Sequence, residues 1–407
     1  MMTIYLGIDW SEKKHDVTFM HETGETILTH KIEHNVAGFE CLEEKRRQLQ
    51  VEPAECVIGI ESAHTLLIDY LWAAGHEQIY VVPPSTIASN RGRHRQSGAR
   101  NDQYDSWVIA ETLRTDLSKL QPWAPGSDLL QQMRVYVSYG EMLTQECTRL
   151  GNRLRNALLR YYPVALNVFP SWPTQIVCAF VHTYPTPEAA AELTYDEFAD
   201  FCRRHRYPKQ RLLPARYAAL QAVQPAPRPA LVAAYAEQVR QLAQALQAAL
   251  HNKQANLKRL DHLFRQHPDA PIFAALPGTG QWLAPALLVK FGEDRQRFPT
   301  VGALQALAGT CPVTYQSGKK QSVRFRRSCD HSFRQITQQW ARCAISESDW
   351  AASYHHQVLA RSRSRSHADR CLANRLLAIA WKLWQTSSLY DERIHLQNCV
   401  RRTRPLG

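Results

Sequence analysis

Leu6-Gly7-Ile8-Asp9 closes the apolar run 3–8 with a carboxylate, and this run is the first expected strand of the N-terminal region. Two more runs of strand character follow at residues 16–20 and 26–32, and polar turns separate the three runs. Consecutive short strands with short connections predict an antiparallel meander.

Beyond the meander, the chain alternates between helical and strand patterns. The strand pattern recurs in the run 56–60, which ends as the first strand does, in Ile58-Gly59-Ile60-Glu61. The other expected elements are helices at 37–48, at 66–74 and from 101 towards 113, and a strand at 78–82. Strands first, and then strands alternating with helices, predict an α/β domain at residues 1–125, with a mixed sheet that helices cover.

Residues 126–270 are predicted to form a helical region between two domains. Residues 128–162 have a helical pattern, and residues 229–264 carry leucines at helical intervals. The second stretch is either a coiled-coil segment or a packing helix within one subunit. The proline-rich segment 163–229 is an insertion or linker to which the sequence assigns no role.

A mostly α-helical C-terminal domain is predicted at residues 271–407. It opens with Pro277-Gly278-Thr279-Gly280, ahead of an apolar helix at 283–291. This pattern is either half of a helix-hairpin-helix, whose backbone N–H groups bind phosphate, or a helix-to-helix turn that needs glycine. The tract 361–366, in which Arg and Ser alternate, predicts a basic loop.

The formal net charge of the chain is +12, and the excess is concentrated near the C-terminus. Residues 315–407 contain 17 Lys and Arg against 6 Asp and Glu, which favours a polyanionic partner such as nucleic acid. The 10 cysteines form no CxxC pair and no zinc-ligand spacing. No run approaches the roughly 18 apolar residues of a membrane span. The composition therefore predicts a soluble intracellular protein with reduced cysteines and no membrane partner.

Four acids, Asp9, Glu61, Asp102 and Asp105, are the candidate metal ligands. The first two end strands that would lie side by side, and the other two share one face at the start of a helix. Carboxylates this close repel one another unless a divalent cation neutralises them, and Mg²⁺ prefers oxygen ligands. Two such ions about 4 Å apart stabilise both oxygens of a phosphoryl displacement. Each acid taken singly is also an ordinary turn or cap residue.

Ser317 is the candidate nucleophile. It lies beside Gly318 in a segment rich in cations, and cations stabilise the charge on phosphoryl oxygens when a deprotonated hydroxyl attacks phosphorus. The alternative is an ordinary Ser-Gly turn with cations that bind backbone phosphate. The cations are Lys319, Lys320, Arg324, Arg326 and Arg327.

Two further groups of arginines are candidate nucleic-acid contacts. Contacts of this kind position a duplex without reading its sequence, and a solvated basic surface is the alternative. The sequence has no helix-turn-helix or zinc finger that would read bases. The two groups are Arg91, Arg93, Arg95 and Arg100, and Arg361, Arg363 and Arg365.

The spacing of the four acids resembles that of a known family. The order Gly7-Ile8-Asp9, Ile60-Glu61 and Asp102-x-x-Asp105 is similar to the DEDD domain, a RuvC-like member of the ribonuclease H fold. This domain is found at the N-terminus of one group of bacterial insertion-sequence transposases and of the related Piv-type DNA invertases. Arg100-Asn101 and Ser106 depart from the residues usual in the family, and neither departure removes a metal ligand.

The C-terminal region resembles the transposase domain of the same family. The likeness rests on Pro277-Gly278-x-Gly280, on Ala308-Gly309 and on Tyr315-x-Ser317-Gly318-Lys319. It implies that Ser317 forms a covalent phosphoserine with DNA, while Asp9, Glu61, Asp102 and Asp105 hold Mg²⁺. It also implies a site built from two protomers of a homo-oligomer, dimer to tetramer, with the helix at 229–264 in assembly. A structured bridge RNA that pairs with donor and target DNA would supply recognition.

The sequence and the resemblance together predict a Mg²⁺-dependent, RNA-guided DNA transposase and serine recombinase of the bacterial cytoplasm, associated with the nucleoid. Two alternatives are kept. One is a RuvC-like junction nuclease in which water attacks and Ser317 only binds DNA. The other is a non-catalytic nucleic-acid-binding descendant of a transposase.

Overall fold

The computed structural model describes residues 3–61, 65–94, 102–225, 228–318, 320–393 and 396, without the side chains of residues 94 and 102. Its contacts divide the chain into two compact units, Met1–Pro125 and Gly126–Gly407. The further boundary expected at residue 270 stays a prediction.

The N-terminal unit contains a five-stranded mixed sheet. Its elements are β1 (Ile4–Asp9), β2 (Lys14–His21), β3 (Thr26–Glu33), α1 (Val36–Gln48), β4 (Cys56–Ile60), α2 (Leu66–Ala73), β5 (Ile79–Val81), α3 (Pro84–His94) and α4 (Asp102–Asp116). The strand order is β3-β2-β1-β4-β5. Strands β1 to β3 pair antiparallel, whereas β4 is parallel to both β1 and β5. The predicted meander and mixed sheet are confirmed.

Helix α4 lies directly on β1 and β4, because each strand has a glycine beneath it. A Cβ at Gly59 would lie 2.6 Å from Ile109 Cγ2, and a Cβ at Gly7 would overlap the backbone of Ser106. Only glycine allows this approach. The two Gly-Ile-acid sequences therefore serve the packing of α4 as well as the position of their acids.

The direction of α4 follows from two contacts. Its residue Ser106 lies above Gly7 in the middle of β1. Its last turn carries Arg114, whose guanidinium lies 3.3 Å from the Cβ position of Gly24, in the β2–β3 turn beside the start of β1. The helix thus runs against β1, and its first turn lies towards the carboxyl ends of β1 and β4.

The C-terminal unit is built on two long helices. Its first elements are α5 (Asp128–Tyr161), α6 (Ala165–Val168), α7 (Gln175–Thr183), α8 (Pro187–Ala191), α9 (Tyr195–Arg204), α10 (Leu213–Leu220) and α11 (Pro229–Phe264). Helices α5 and α11 are antiparallel: the rings of Tyr161 and Tyr235 stack at 5.7 Å, and Asn256 Nδ2 donates to Tyr136 O at 3.0 Å. Helix α11 packs within its own chain, which supports the packing-helix alternative for residues 229–264.

The proline-rich segment is folded. Helices α6 to α10 pack on the C-terminal half of α5 and the N-terminal half of α11. They enclose a core of buried apolar residues, among them Phe169, Phe180 and Phe198. An insertion with a core of this size is a structural element in its own right.

The remaining elements form a second core on the N-terminal part of α5 and the C-terminal part of α11. They are α12 (Ala270–Ala274), α13 (Gly280–Phe291), α14 (Val301–Leu307), β6 (Val313–Ser317), β7 (Lys320–Arg324), α15 (His331–Glu347), α16 (Asp349–Ser362) and α17 (Arg365–Gln385). The mostly helical character predicted for this region is confirmed, apart from the β6–β7 hairpin. Among the described helices, none is long and apolar enough to cross a membrane.

Candidate active site and nucleic-acid interface

Two candidate metal ligands lie at one edge of the sheet. Asp9 is the last residue of β1, and Glu61 follows the last residue of β4. These strands are parallel neighbours in which Ile8 pairs with Ile60, so the acids occupy equivalent positions at the carboxyl ends. Both side chains are partly exposed, as a site open to phosphate requires.

The other two acids belong to the first turn of α4, which lies towards the same edge. Helix α4 begins at Asp102, whose side chain is outside the described part of the chain. Asp105 lies one turn further on and is partly buried. The backbone therefore brings all four positions to one end of the unit, and their role as metal ligands stays a prediction.

Asp105 is already paired with a cation. Arg91 Nε lies 2.8 Å from Asp105 Oδ1, and Arg91 Nη2 lies 2.6 Å from Oδ2, which is a bidentate ion pair between α3 and α4. Arg91 was a candidate DNA contact, and its guanidinium is instead engaged with an acid of the candidate site. Its neighbour Arg93 is 55% exposed and lies 3.5 Å from Asp116.

The four acids offer a donor set that suits Mg²⁺, since every side-chain ligand is a carboxylate oxygen. Within the described residues, which exclude the Asp102 side chain, no three His, Cys, Asp or Glu side chains are close enough to hold a metal ion. A cation at this edge would have to share Asp105 with Arg91.

A buried histidine, His15, pairs with the partly exposed His34 beside the loop that follows Asp9. His15 is fully buried, its Nδ1 accepts from the backbone N–H of Ser11 at 3.3 Å, and its Nε2 lies 2.8 Å from His34 Nδ1. Burial, and secondarily the neighbouring His34, lower the pKa of His15 to about 4. A neutral His15 with its proton on Nε2 satisfies both contacts. No sequence pattern indicated this pair.

Ser317 lies at the tip of an exposed hairpin. It ends β6 and pairs directly with Lys320, the first residue of β7, across a turn in which Gly318 has φ +56°. Four of the five residues of β6 and all five of β7 are exposed, Ser317 included. The hydroxyl is therefore accessible to a large substrate, and the Lys320 ammonium is its cross-strand neighbour.

The described cations around the hairpin are not neutralised by an acid. Of the predicted set, Lys319 lies outside the described residues. In the part of the chain that the structure describes, the other four form no ion pair with an acid: Lys320, Arg324, Arg326 and Arg327.

Two arginines that the sequence analysis missed anchor the base of the hairpin. The guanidinium carbons of Arg334 and Arg370 lie 4.5 and 4.7 Å from the centroid of the Phe325 ring, directly after β7. Arg334 also donates to Arg326 O at 2.7 Å. The sequence could not reveal these contacts, because Arg334 belongs to α15 and Arg370 to α17.

The Arg-Ser tract spans the end of α16, a two-residue turn and the start of α17, so the basic loop predicted at 361–366 is confined to residues 363 and 364. Arg361 lies in the last turn of α16, Arg363 is its left-handed cap with φ +55°, and Arg365 begins α17. All three side chains are exposed. Arg370 lies five residues beyond Arg365, about 8 Å along the helix, so α17 links this turn to the hairpin. The remaining predicted contacts, Arg95 and Arg100, lie outside the described residues.

The turn before α13 is a packing element rather than an open phosphate site. The Gly278 N–H donates to Glu347 Oε2 at 2.8 Å, so a carboxylate occupies it. A Cβ at Gly278 would lie 2.5 Å from the backbone N of Ala344 in α15. The structure therefore favours the glycine-requiring turn over half of a helix-hairpin-helix.

Comparisons with known proteins agree with this architecture. Residues 6–163 match a transposase model, the DEDD transposase domain of IS110, and residues 270–356 match the transposase model of the IS116/IS110/IS902 family. The first match contains the four candidate metal ligands, and the second contains Ser317.

Three similar proteins span most of the chain. The mini-circle transposase for IS117 of Streptomyces coelicolor is 28% identical over 96% of each chain. The uncharacterised 43.6 kDa protein of insertion element IS110, from the same species, is 25% identical over 73% of each chain. The uncharacterised 42 kDa protein of IS900 from Mycobacterium paratuberculosis is 22% identical over 95% of this chain and 97% of its own.

A mixed five-stranded sheet followed by a mostly helical region is the architecture of a transposase with a RuvC-like DEDD domain. Such domains typically use a divalent metal ion. The chain belongs to the IS110/IS116/IS902 family of transposases and is homologous to the IS117 transposase.

Proposed function

We propose that this transposase cuts and rejoins DNA through a covalent phosphoserine at Ser317. The observation that carries the proposal is the exposure of Ser317 at the tip of a cationic hairpin, directly opposite Lys320. An internal structural serine would not need such an accessible position. The resemblance of the Tyr315-x-Ser317-Gly318 segment to the family's nucleophile region supports the same assignment.

The chemistry is a pair of transesterifications. In the first, the Ser317 oxygen loses its proton and bonds to phosphorus, while one deoxyribose oxygen leaves phosphorus and takes up a proton. In the second, a deoxyribose hydroxyl of another strand end loses its proton and bonds to that phosphorus, and Ser317 leaves and is reprotonated. Each step exchanges one phosphate ester for another, so ATP is not required. Lys320 and Arg324 stabilise the charge on the phosphoryl oxygens.

Asp9, Glu61, Asp102 and Asp105 are proposed to hold Mg²⁺. Their support is the all-carboxylate donor set and the common position of the four backbones at one end of the N-terminal unit. When bound, the ion would neutralise charge on the scissile phosphate. A site that combines these acids with Ser317 of a second protomer requires a homo-oligomer, from dimer to tetramer, in which α11 takes part.

The proposed partners are donor and target DNA and a structured bridge RNA, in a bacterial cytoplasm at the nucleoid. The resemblance supports the RNA, and the exposed arginines of the turn between α16 and α17 support polyanion binding. Arg93, Arg95, Arg100 and the turn residues Arg361, Arg363 and Arg365 are proposed backbone contacts. Arg91 is better assigned to Asp105.

The test is an adduct assay with the full chain. Protein, Mg²⁺, RNA transcribed from the DNA that flanks the gene, and end-labelled donor DNA are incubated and separated on denaturing gels. We expect a covalent protein–DNA band that is lost in Ser317→Ala and in Asp102→Ala. Thr314→Ala is the matched control, because Thr314 is an exposed hydroxyl residue of the same hairpin, and this variant should keep the band.

Two outcomes would overturn the proposal. Cut DNA without an adduct, still produced by Ser317→Ala, would favour a junction nuclease that uses water. Nucleic-acid binding with neither cutting nor an adduct would favour a non-catalytic descendant.

A further inference from the structure

The β6–β7 hairpin is a two-stranded ribbon that the described part of the chain leaves uncovered on both sides. Tyr315 is 54% exposed and Val323 is 65% exposed, although both are large hydrophobic side chains. An isolated two-stranded ribbon is at best marginally stable in water. We therefore expect the ribbon to be covered by a surface that does not belong to the described residues, such as that of a bound partner.

The two faces of the ribbon differ in chemistry. Side chains alternate along a strand, and paired residues share a face. The face that carries Ser317, called here the serine face, consists of Val313, Tyr315, Ser317, Lys320, Ser322 and Arg324. The opposite face consists of Thr314, Gln316, Gln321 and Val323 and has no charge. Residues 313–329 contain no acid, so the serine face is suited to an anionic partner.

The serine face also carries a prepared aromatic ring. The guanidinium carbon of Arg324 lies 4.9 Å from the centroid of the Tyr315 ring, a cation–π contact that orients the ring and leaves it more than half exposed. An exposed aromatic ring beside cations is a platform on which a nucleobase stacks without regard to its identity. Tyr315 precedes Ser317 by two residues, which is about 7 Å along a strand.

We propose that Tyr315 stacks on an unpaired base of the DNA strand that Ser317 attacks, and that the stacked base fixes the scissile phosphate at the Ser317 hydroxyl. This inference rests on the proposed function of Ser317. Arg324 holds the ring in place through its cation–π contact. The contacts of Phe325 with Arg334 and Arg370 hold the base of the ribbon. A base that is stacked on Tyr315 therefore also sets where Ser317 lies.

The binding test uses the full chain with Ser317→Ala, which removes the nucleophile. Its probes are a labelled 12-mer of thymidylate and a 12-mer of the same charge in which every nucleotide is abasic. We expect the thymidylate probe to bind about tenfold more tightly, because stacking needs bases. Adding Tyr315→Ala should abolish most of this preference, whereas Tyr315→Phe should keep it. Gln316→Ala, on the opposite face, is the control and should also keep it.

Two binding results would overturn the inference. One is a base preference that is the same with Tyr315 and with alanine. The other is a Tyr315-dependent preference that arises only with a uridylate RNA 12-mer, which would make RNA the occupant.

The adduct assay separates this inference from the proposed function. We expect Tyr315→Ala to lower adduct formation about tenfold and Tyr315→Phe to restore it. If the wild-type chain forms no adduct while the Tyr315-dependent base preference persists, stacking stands and the role of Ser317 fails. If Tyr315→Ala forms the adduct as well as wild type, the role of Ser317 stands and stacking at the attacked strand is refuted.

Discussion

The guanidinium of Arg91 makes two parallel hydrogen bonds with the carboxylate of Asp105, at 2.8 and 2.6 Å. Asp105 is a candidate metal ligand, so one acid of the cluster is neutralised by the protein itself. This pair also ties α3 to α4, the helix that presents Asp102 and Asp105. Arg91 therefore both supports the fold of the site and competes with a cation for one of its ligands.

Arg91→Met should destabilise the N-terminal unit by about 2 kcal/mol, because a partly buried carboxylate loses its partner. Arg93→Met is the control: Arg93 is 55% exposed and lies 3.5 Å from its acid, so the loss should stay below about 0.5 kcal/mol. Urea denaturation measures both. Mg²⁺ should stabilise Arg91→Met more than wild type, since Asp105 is then available to it. An equal effect of Mg²⁺ on both proteins would argue against Asp105 as a ligand.

Gly7→Ala should destabilise the N-terminal unit by about 3 kcal/mol, because the new Cβ would overlap the backbone of Ser106 and push α4 off β1. Thermal unfolding followed by circular dichroism measures the change. Gly92→Ala is the control, because a Cβ there meets no atom within 4 Å, and it should be neutral or stabilising by about 0.5 kcal/mol. A Gly7→Ala protein as stable as wild type would contradict the direct packing of α4 on β1.

The stability of the N-terminal unit should fall in mild acid because of His15. Its pKa is lowered from 6.5 to about 4 in the folded protein, so the unfolded chain binds the extra proton between these values. The free energy of unfolding that this difference in pKa provides is fully present above pH 6.5 and decreases as the pH falls towards 4. The loss between about pH 7 and pH 5 is about 2 kcal/mol. Urea denaturation across this range should show a shallower dependence for His15→Gln. The partly exposed His21→Gln should keep the wild-type slope, and a wild-type slope in His15→Gln would exclude the explanation.

The basic turn between α16 and α17 should contribute to nucleic-acid affinity through phosphate. Replacing Arg361, Arg363 and Arg365 together by Gln should make the dependence of log affinity on log salt shallower by about 0.9 for each lost contact with duplex DNA. Arg203→Gln is the control, because Arg203 is exposed but paired with Asp200. Fluorescence anisotropy at several salt concentrations measures the slopes. An unchanged slope in the triple variant would leave the turn as solvated surface.

The sequence predicted the central sheet well because its strands are buried apolar runs. Strand β4 was predicted with its observed bounds, Cys56–Ile60, and all five of its residues are buried. Helix α3 was not predicted, although it begins at Pro84 and proline is well tolerated at the first position of a helix. Polar side chains along α3 gave no clear apolar period.

The hairpin that carries Ser317 could not be predicted from periodicity. Its residues are exposed on both faces, so no alternation of apolar and polar residues marks the strands. The contacts of the candidate sites were equally hidden, because Arg91 and Asp105, or Phe325 and Arg370, meet only through the fold. Sequence patterns identified the candidate residues, and their partners became visible only in the folded structure.

Mass spectrometry can identify the residue that is linked to DNA. The adduct formed with donor DNA is digested with nuclease and trypsin, and the modified peptide is sequenced by mass spectrometry. We predict a nucleotide-phosphate on Ser317, in the peptide that follows Arg297 and ends at Lys319 or Lys320. A nucleotide on any other residue, or cut DNA with no nucleotide on the protein, would exclude Ser317 as the nucleophile.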